Sequence, residues 1–290
     1  MNDYLLSVLL GIVEGLTEFL PVSSTAHLRI AEALLHIDLS DPYWKMYTIV
    51  IQLGAILALC LLFMGRIMEF IRTFPSGENG NRSFLDHPIS LTLVAFAFTS
   101  GTSLLSLKLI SKNLESLQVM ALALLIGGVV MWIIDAWTVR HEAGTADVEE
   151  MNIWQAIWVG LCQTLAPLFP GTSRSMATIA AGQIAGLTRS TALEFSFLIS
   201  IPTMFASTGY ELYKEVLRPD RSEAVAPLVM NSERWIVLII GLFVSFIVAL
   251  GVVEWFLMWV RKHGLVIFAA YRIILAILLL TLGRTMLGLN

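Results

Sequence analysis

Between Glu14 and His27 the chain reads EGLTEFLPVSSTAH. Glu14 and Glu18 stand one helical turn apart and so share a face. Ser23, Ser24 and Thr25 follow with hydroxyls, and His27, three positions beyond Ser24, brings an imidazole to roughly the same side of the next helix. A second stretch, PLFPGTSRSMAT from Pro167 to Thr178, sets Thr172, Ser173, Ser175 and Thr178 around Arg174, whose planar fork suits phosphate oxygens. In each stretch a proline stops one helix, and a serine or threonine (Ser23 or Ser24, Thr172 or Ser173) can cap the next. The opening N–H groups of that next helix then stay free, and two such helix starts aimed at one cavity make an anion site. Two glutamates beside bound anion would repel it unless a divalent cation bridges them or one carries a proton, and both options are productive. Three routes to an attack on phosphorus stay open at this level: Ser24 with His27 as base, His27 itself, or water with a glutamate as base.

The elements that hold these residues are membrane-like. Of the 290 residues 57% are hydrophobic and only 14% charged, with a mean hydropathy of +0.79, which points to an integral membrane protein. The net charge of −4 excludes a polybasic surface that would recruit nucleic acid. Cys60 and Cys162 fall in apolar runs and read as buried thiols, and Met1-Asn2-Asp3 lacks the positive start of a cleavable leader. Apolar runs near 44–65, 88–108, 117–138, 191–213, 234–260 and 265–288 have the length of full crossings. Two more, 3–36 and 152–187, are broken at PVSSTAH and PLFPGTSRS. A shift of 149 lays Pro170 on Pro21, Gly160 on Gly11 and Ser173 on Ser24, and each broken segment is followed by three crossings. Three crossings turn the chain over, so a duplicated unit returns inverted. The expected fold is an all-α membrane domain over 1–290, made of two inverted repeats, 1–140 and 150–290. Each repeat is a re-entrant helical hairpin plus three transmembrane helices, and irregular backbone at that depth implies a polar cavity where the hairpin tips meet.

Taken together, the ExxxE pattern of EGLTEF, the PVSSTAH loop and PGTSRSMAT resemble the undecaprenyl-pyrophosphate phosphatase family of bacteria, the bacitracin-resistance type. Gln52 in VIQLGAILA and Glu194 in LEFSFLISIP also lie in stretches that resemble the family's. The resemblance implies hydrolysis of undecaprenyl diphosphate to the monophosphate, which recycles the lipid carrier of cell-wall synthesis and confers bacitracin resistance. It also implies a divalent cation, Mg²⁺ or Ca²⁺, and an active site on the outer side of the cytoplasmic membrane. By position it makes Glu14, Glu18, Ser24, His27 and Arg174 catalytic, with Glu14 and Glu18 on the metal. Ser23, Thr25, Thr172, Ser173, Ser175, Thr178 and Gln52 become substrate-binding. Ala26 and Met176 depart from it, each standing where glycine is common in the family.

Blander roles compete with these. Ser23, Thr25 and Thr172 could bond only their own backbone, and Glu194 could be a solvated interfacial charge. A different class of function, an inverted-repeat transporter or lipid flippase, would use the glutamates as proton carriers and Arg174 to hold an anionic substrate. Basic residues fall almost evenly on the two faces, so charge does not orient the chain. A homodimer is admitted alongside the polyprenyl diphosphate lipid and the membrane as partner.

Overall fold

The computed structural model describes residues 2–37, 41–77, 82–106, 116–140, 144–213 and 230–287. The described residues are helical, with a single isolated bridge between Thr145 and Leu187. In chain order the helices are α1 (Asp3–Thr17), α2 (Ser24–Leu34), α3 (Pro42–Leu62), α4 (Met64–Thr73), α5 (Pro88–Leu105), α6 (Leu117–Arg140), α7 (Ile153–Gln163), α8 (Leu165–Leu168), α9 (Arg174–Ile184), α10 (Arg189–Leu212), α11 (Ser232–His263) and α12 (Val266–Leu287).

Their starts follow from local chemistry. Asn2 caps α1 by accepting the Tyr4 N–H at 3.0 Å, and Asp41 caps α3 through Tyr43 at 2.9 Å, with Pro42 at the first helical position. Asn152 and Gln155 close a reciprocal capping box on α7. The two broken segments fold as helix–turn–helix hairpins, α1/α2 and α7–α8/α9, as their interrupted apolar pattern implies.

Among the described residues five helices are long and apolar enough to cross a membrane: α3, α5, α6, α11 and α12. They correspond to five of the six expected crossings, with residues 107–108 and 288 of the expected spans outside the described residues. The sixth, expected at 191–213, is α10, which is equally long but carries Arg189, Glu194 and Pro202 and buries most of its first half. Arg189 is paired with Asp135 and Glu194 with Arg66.

Helices approach closely where side chains are absent. A Cβ on Gly11 or Gly15 of α1 would stand 2.7 Å from the Gly241 or Ser245 carbonyl oxygen of α11. On α7, a Cβ at Gly160 would strike the Ala95 backbone of α5, and the Thr99 hydroxyl donates to the Gly160 carbonyl at 2.7 Å. Small residues are what lets helices pack where burial of oily surface gives no drive. The first hairpin thus leans on α11 and the second on α5; α3 packs on α11 and α10 on α5; α6 packs on α12. One polar tie fixes the far end: the buried Asp135 of α6 accepts Arg189 Nε at 2.6 Å and the Leu265 N–H at 3.0 Å, which binds α10 and the α11–α12 turn together.

Candidate active site

Each hairpin turns on a serine with positive φ. Ser23 has φ 76° and accepts the Ala26 N–H at 3.4 Å; Ser173 has φ 69° and accepts the Met176 N–H at 3.4 Å. These are the caps of α2 and α9, so Ser24 and Arg174 are the first helical residues. The cap serines are 150 positions apart while the prolines are 149 apart, because the second turn has one more residue between proline and cap. The expected superposition of Ser173 on Ser24 is therefore corrected: Ser173 matches Ser23, and Arg174 matches Ser24.

The first residues of α2 and α9 converge on one carboxylate. Ser24 Oγ donates to Glu18 Oε2 at 2.5 Å, and Arg174 Nη2 donates to Glu18 Oε1 at 2.9 Å. Ser175 Oγ approaches the Glu18 carbonyl at 3.5 Å, and the Arg174 guanidinium lies 5.5 Å from the centre of the Phe19 ring. Glu18 is itself the residue after α1, its N–H still bonded to the Glu14 carbonyl at 3.0 Å, so the end of one half-helix is fastened to the starts of two others. Arg174 Nη1 is buried and has no acceptor, which leaves one arm of the fork free for an incoming oxygen.

One turn before Glu18, Glu14 is completely buried, and neither of its oxygens receives a donor. A buried, unpartnered carboxylate beside a second one is expensive, and Arg174 is already held by Glu18. One further positive charge is called for, a proton or a cation. Among the described residues no three His, Cys, Asp or Glu side chains gather as a metal site. The protein would then supply two carboxylates and leave the remaining ligand positions to phosphate oxygens and water, the usual habit of Mg²⁺.

His27 is not where the spacing suggested. Its Nδ1 lies 2.7 Å from the Ser23 carbonyl and its Nε2 2.5 Å from the Tyr271 hydroxyl, with the two rings stacked at 5.6 Å. A carbonyl can only accept, so Nδ1 carries a proton, and in the neutral imidazole Nε2 accepts from the Tyr271 hydroxyl. The expected Ser24–His27 pair is replaced by Ser24–Glu18, since one turn along α2 carries the imidazole toward α12.

The remaining candidates divide. Thr172 is buried beside the second cap, its carbonyl accepting from Arg272. Thr178 spends its hydroxyl on the Arg174 carbonyl and on Ser196 of α10, at 2.9 and 2.5 Å, so it braces the hairpin. Thr25 is exposed, and Gln52 is half-buried on α3 with no bond to a site residue. Glu194 is partly exposed and bonds to none of the site residues: it accepts Arg66 Nε at 2.9 Å in a network that also includes Glu69 and Asp147.

Two residues escaped sequence reasoning, Tyr271 and Arg272 of α12. Arg272 is fully buried and donates to the Pro21 carbonyl at 3.1 Å, the Gly171 and Thr172 carbonyls at 2.9 Å each, and the Ala123 carbonyl at 3.2 Å. A buried arginine inside an apolar run was the available signal.

Similarity to known proteins runs almost the full length. The family described as bacitracin resistance protein BacA matches residues 7–278. An undecaprenyl-diphosphatase of Koribacter versatilis is 57% identical over 281 residues, covering 97% of this chain and 98% of the relative. Proteins of the same name from Rhizobium etli (42% over 285 residues, 98% of each chain) and Campylobacter fetus (39% over 275 residues, 94% and 96%) are also similar.

Proposed function

Because the chain belongs to the bacitracin resistance protein BacA family, we propose that it hydrolyses undecaprenyl diphosphate to undecaprenyl phosphate and inorganic phosphate. The observation that carries the chemistry is Glu18, held by Ser24 on one oxygen and by Arg174 on the other. Glu18 takes the Ser24 proton as Oγ attacks the terminal phosphorus. The bond from that phosphorus to the bridging oxygen breaks, and the electron pair leaves with the lipid monophosphate, an anion that needs no proton to depart. Glu18 then gives that proton up to solvent and, as a carboxylate again, takes one from the water that cleaves the phosphoserine and returns it to Ser24 Oγ as inorganic phosphate leaves. Arg174, released from Glu18 as phosphate enters, turns to the equatorial oxygens, where its free Nη1 adds a second hydrogen bond as charge gathers.

Glu14, with one oxygen of Glu18, would hold Mg²⁺ or Ca²⁺, and such an ion supplies neutralisation of the diphosphate when bound. The unpartnered oxygens of Glu14 support this assignment. His27, spoken for by Ser23 and Tyr271, fixes the first turn. Ser23, Ser173 and Thr172 shape the two caps that face the phosphates.

The architecture that goes with this reading is a pair of inverted repeats. Its support is the exchange of packing partners: α1 lies on α11 as α7 lies on α5, α3 on α11 as α10 on α5, and α2 on α12 as α9 on α6. Exchanging the two halves maps each contact onto the other. Five apolar helices make the chain a multi-pass membrane protein. The family likeness supports the bacterial cytoplasmic membrane, a site open to its outer side, and a role in lipid-carrier recycling for the cell wall and in resistance to bacitracin.

Phosphate release from purified protein in detergent tests the reaction. Metal-dependent release from a polyprenyl diphosphate, with an acid-stable, base-labile phosphate on Ser24, is expected. No release in detergent, together with lipid movement across vesicles, would favour the transporter reading; release with an acid-labile adduct on His27 would move the nucleophile.

A further inference from the structure

We propose that Arg272 is a positioning residue that locks the two hairpin turns to one another and so keeps Glu18 between Ser24 and Arg174. Its effect on turnover rests on the phosphatase reading, while the lock itself does not. The guanidinium reaches the first turn through the Pro21 carbonyl and the second through the Gly171 and Thr172 carbonyls. These carbonyls lie one or two residues before the cap serines, where helix hydrogen bonding has not begun and the chain has no regular partner of its own. Besides the long Ser175 contact to the Glu18 carbonyl, the site's own residues are joined across the hairpins through the Glu18 side chain, which must release Arg174 when phosphate enters. Arg272 is the connection that does not have to let go.

The surroundings fit this role. Among the described residues Arg272 has no carboxylate partner, and its side chain is entirely out of solvent. A cation in that position persists only if carbonyl dipoles replace water around it, and a planar fork can address carbonyls from separate segments as a single ammonium cannot. Space is reserved for it on α6: a Cβ at Gly127 would collide with Arg272 Nη2 and lie 2.6 Å from Met176 Cε. Behind the second turn, Gly171 has φ +99° and its missing side chain admits the Met120 carbonyl. Glycines at 127 and 171 therefore let α6 close on the guanidinium and on the turn it holds. Next to it on α12, Tyr271 grips the first turn again through His27.

The test uses the full chain in lipid nanodiscs and two measurements, steady-state kinetics on a polyprenyl diphosphate and amide hydrogen exchange at Ala26 and His27 in the first turn and Met176 and Ala177 in the second. Arg272→Gln should lower kcat by about 10²-fold while KM moves less than about threefold, the pattern of misplaced groups rather than lost binding. Exchange should rise in both turns and not in α3 or α11, and Arg272→Lys should recover part of kcat. Faster exchange in one turn alone or in neither, or a kcat within about twofold of wild type, overturns the lock. If Arg272→Gln does not fold, Gly127→Ala keeps the arginine but displaces its guanidinium: faster exchange in both turns supports the lock and unchanged exchange overturns it. Should wild type release no phosphate, the phosphatase reading fails, and the exchange data alone decide whether the turns are locked.

Discussion

The two hairpin turns share a backbone device and differ in what they present. Both place a non-glycine serine at positive φ, 76° at Ser23 and 69° at Ser173, and both use it to cap the following half-helix. A serine in that region carries strain of about 1–3 kcal/mol, which persists where surrounding contacts enforce it. Beyond the caps the likeness ends. The first turn supplies carboxylates, a hydroxyl and an imidazole, and the second supplies a guanidinium. The two turns thus form an acceptor half and a donor half, and only their meeting makes a site that could both bind phosphate and take a proton.

That division can be broken most severely at the carboxylate both halves share. Glu18→Gln should lower kcat by about 10³-fold, because an amide can neither take the Ser24 proton nor pair with Arg174; a variant turning over at near-normal rate would remove Glu18 from the chemistry. On the donor side, Arg174→Lys should cost about 10²-fold in kcat/KM in a protein that stays folded, and retention of more than half the wild-type value would reduce Arg174 to a counter-charge. Glu14→Gln sharpens the acceptor side. Chelation should silence wild type reversibly, and the variant should need about tenfold or more extra Mg²⁺ for half-maximal rate; an unchanged metal requirement would leave Glu14 a proton carrier. The smallest effects belong to the frame itself. Ser23→Ala and Ser173→Ala should each destabilise the protein by about 1 kcal/mol in a reversible unfolding measurement, and similar losses would show that the caps are equivalent although the chemistry is not.

Much of this frame was legible in the sequence, since prolines and hydroxyls interrupting an apolar run have few explanations in a membrane helix. The glutamates, Ser24 and Arg174 fall together as their types and spacing implied. What spacing could not give was the partner of each group. His27 meets Tyr271, 244 residues away in sequence, and Arg272 meets Pro21, 251 residues away, so no local pattern announces either bond. Thr25, Thr178 and Gln52 came in through the family resemblance, and spacing did not foretell that Thr25 is exposed or that the Thr178 hydroxyl meets Ser196 of α10. The choice of cap serine was also hidden, because it depends on a single extra residue in the second turn.

Arg272 also bears on how the protein is made. The carbonyls it holds belong to residues 21, 171 and 172, and all three leave the ribosome long before the arginine that joins them. A nascent chain can therefore insert both hairpins and still have no bond between their turns other than the Glu18 contact. The last helix arrives as a keystone, and a chain truncated before it, even with every residue of both motifs present, would reach the membrane as an unfastened pair of halves.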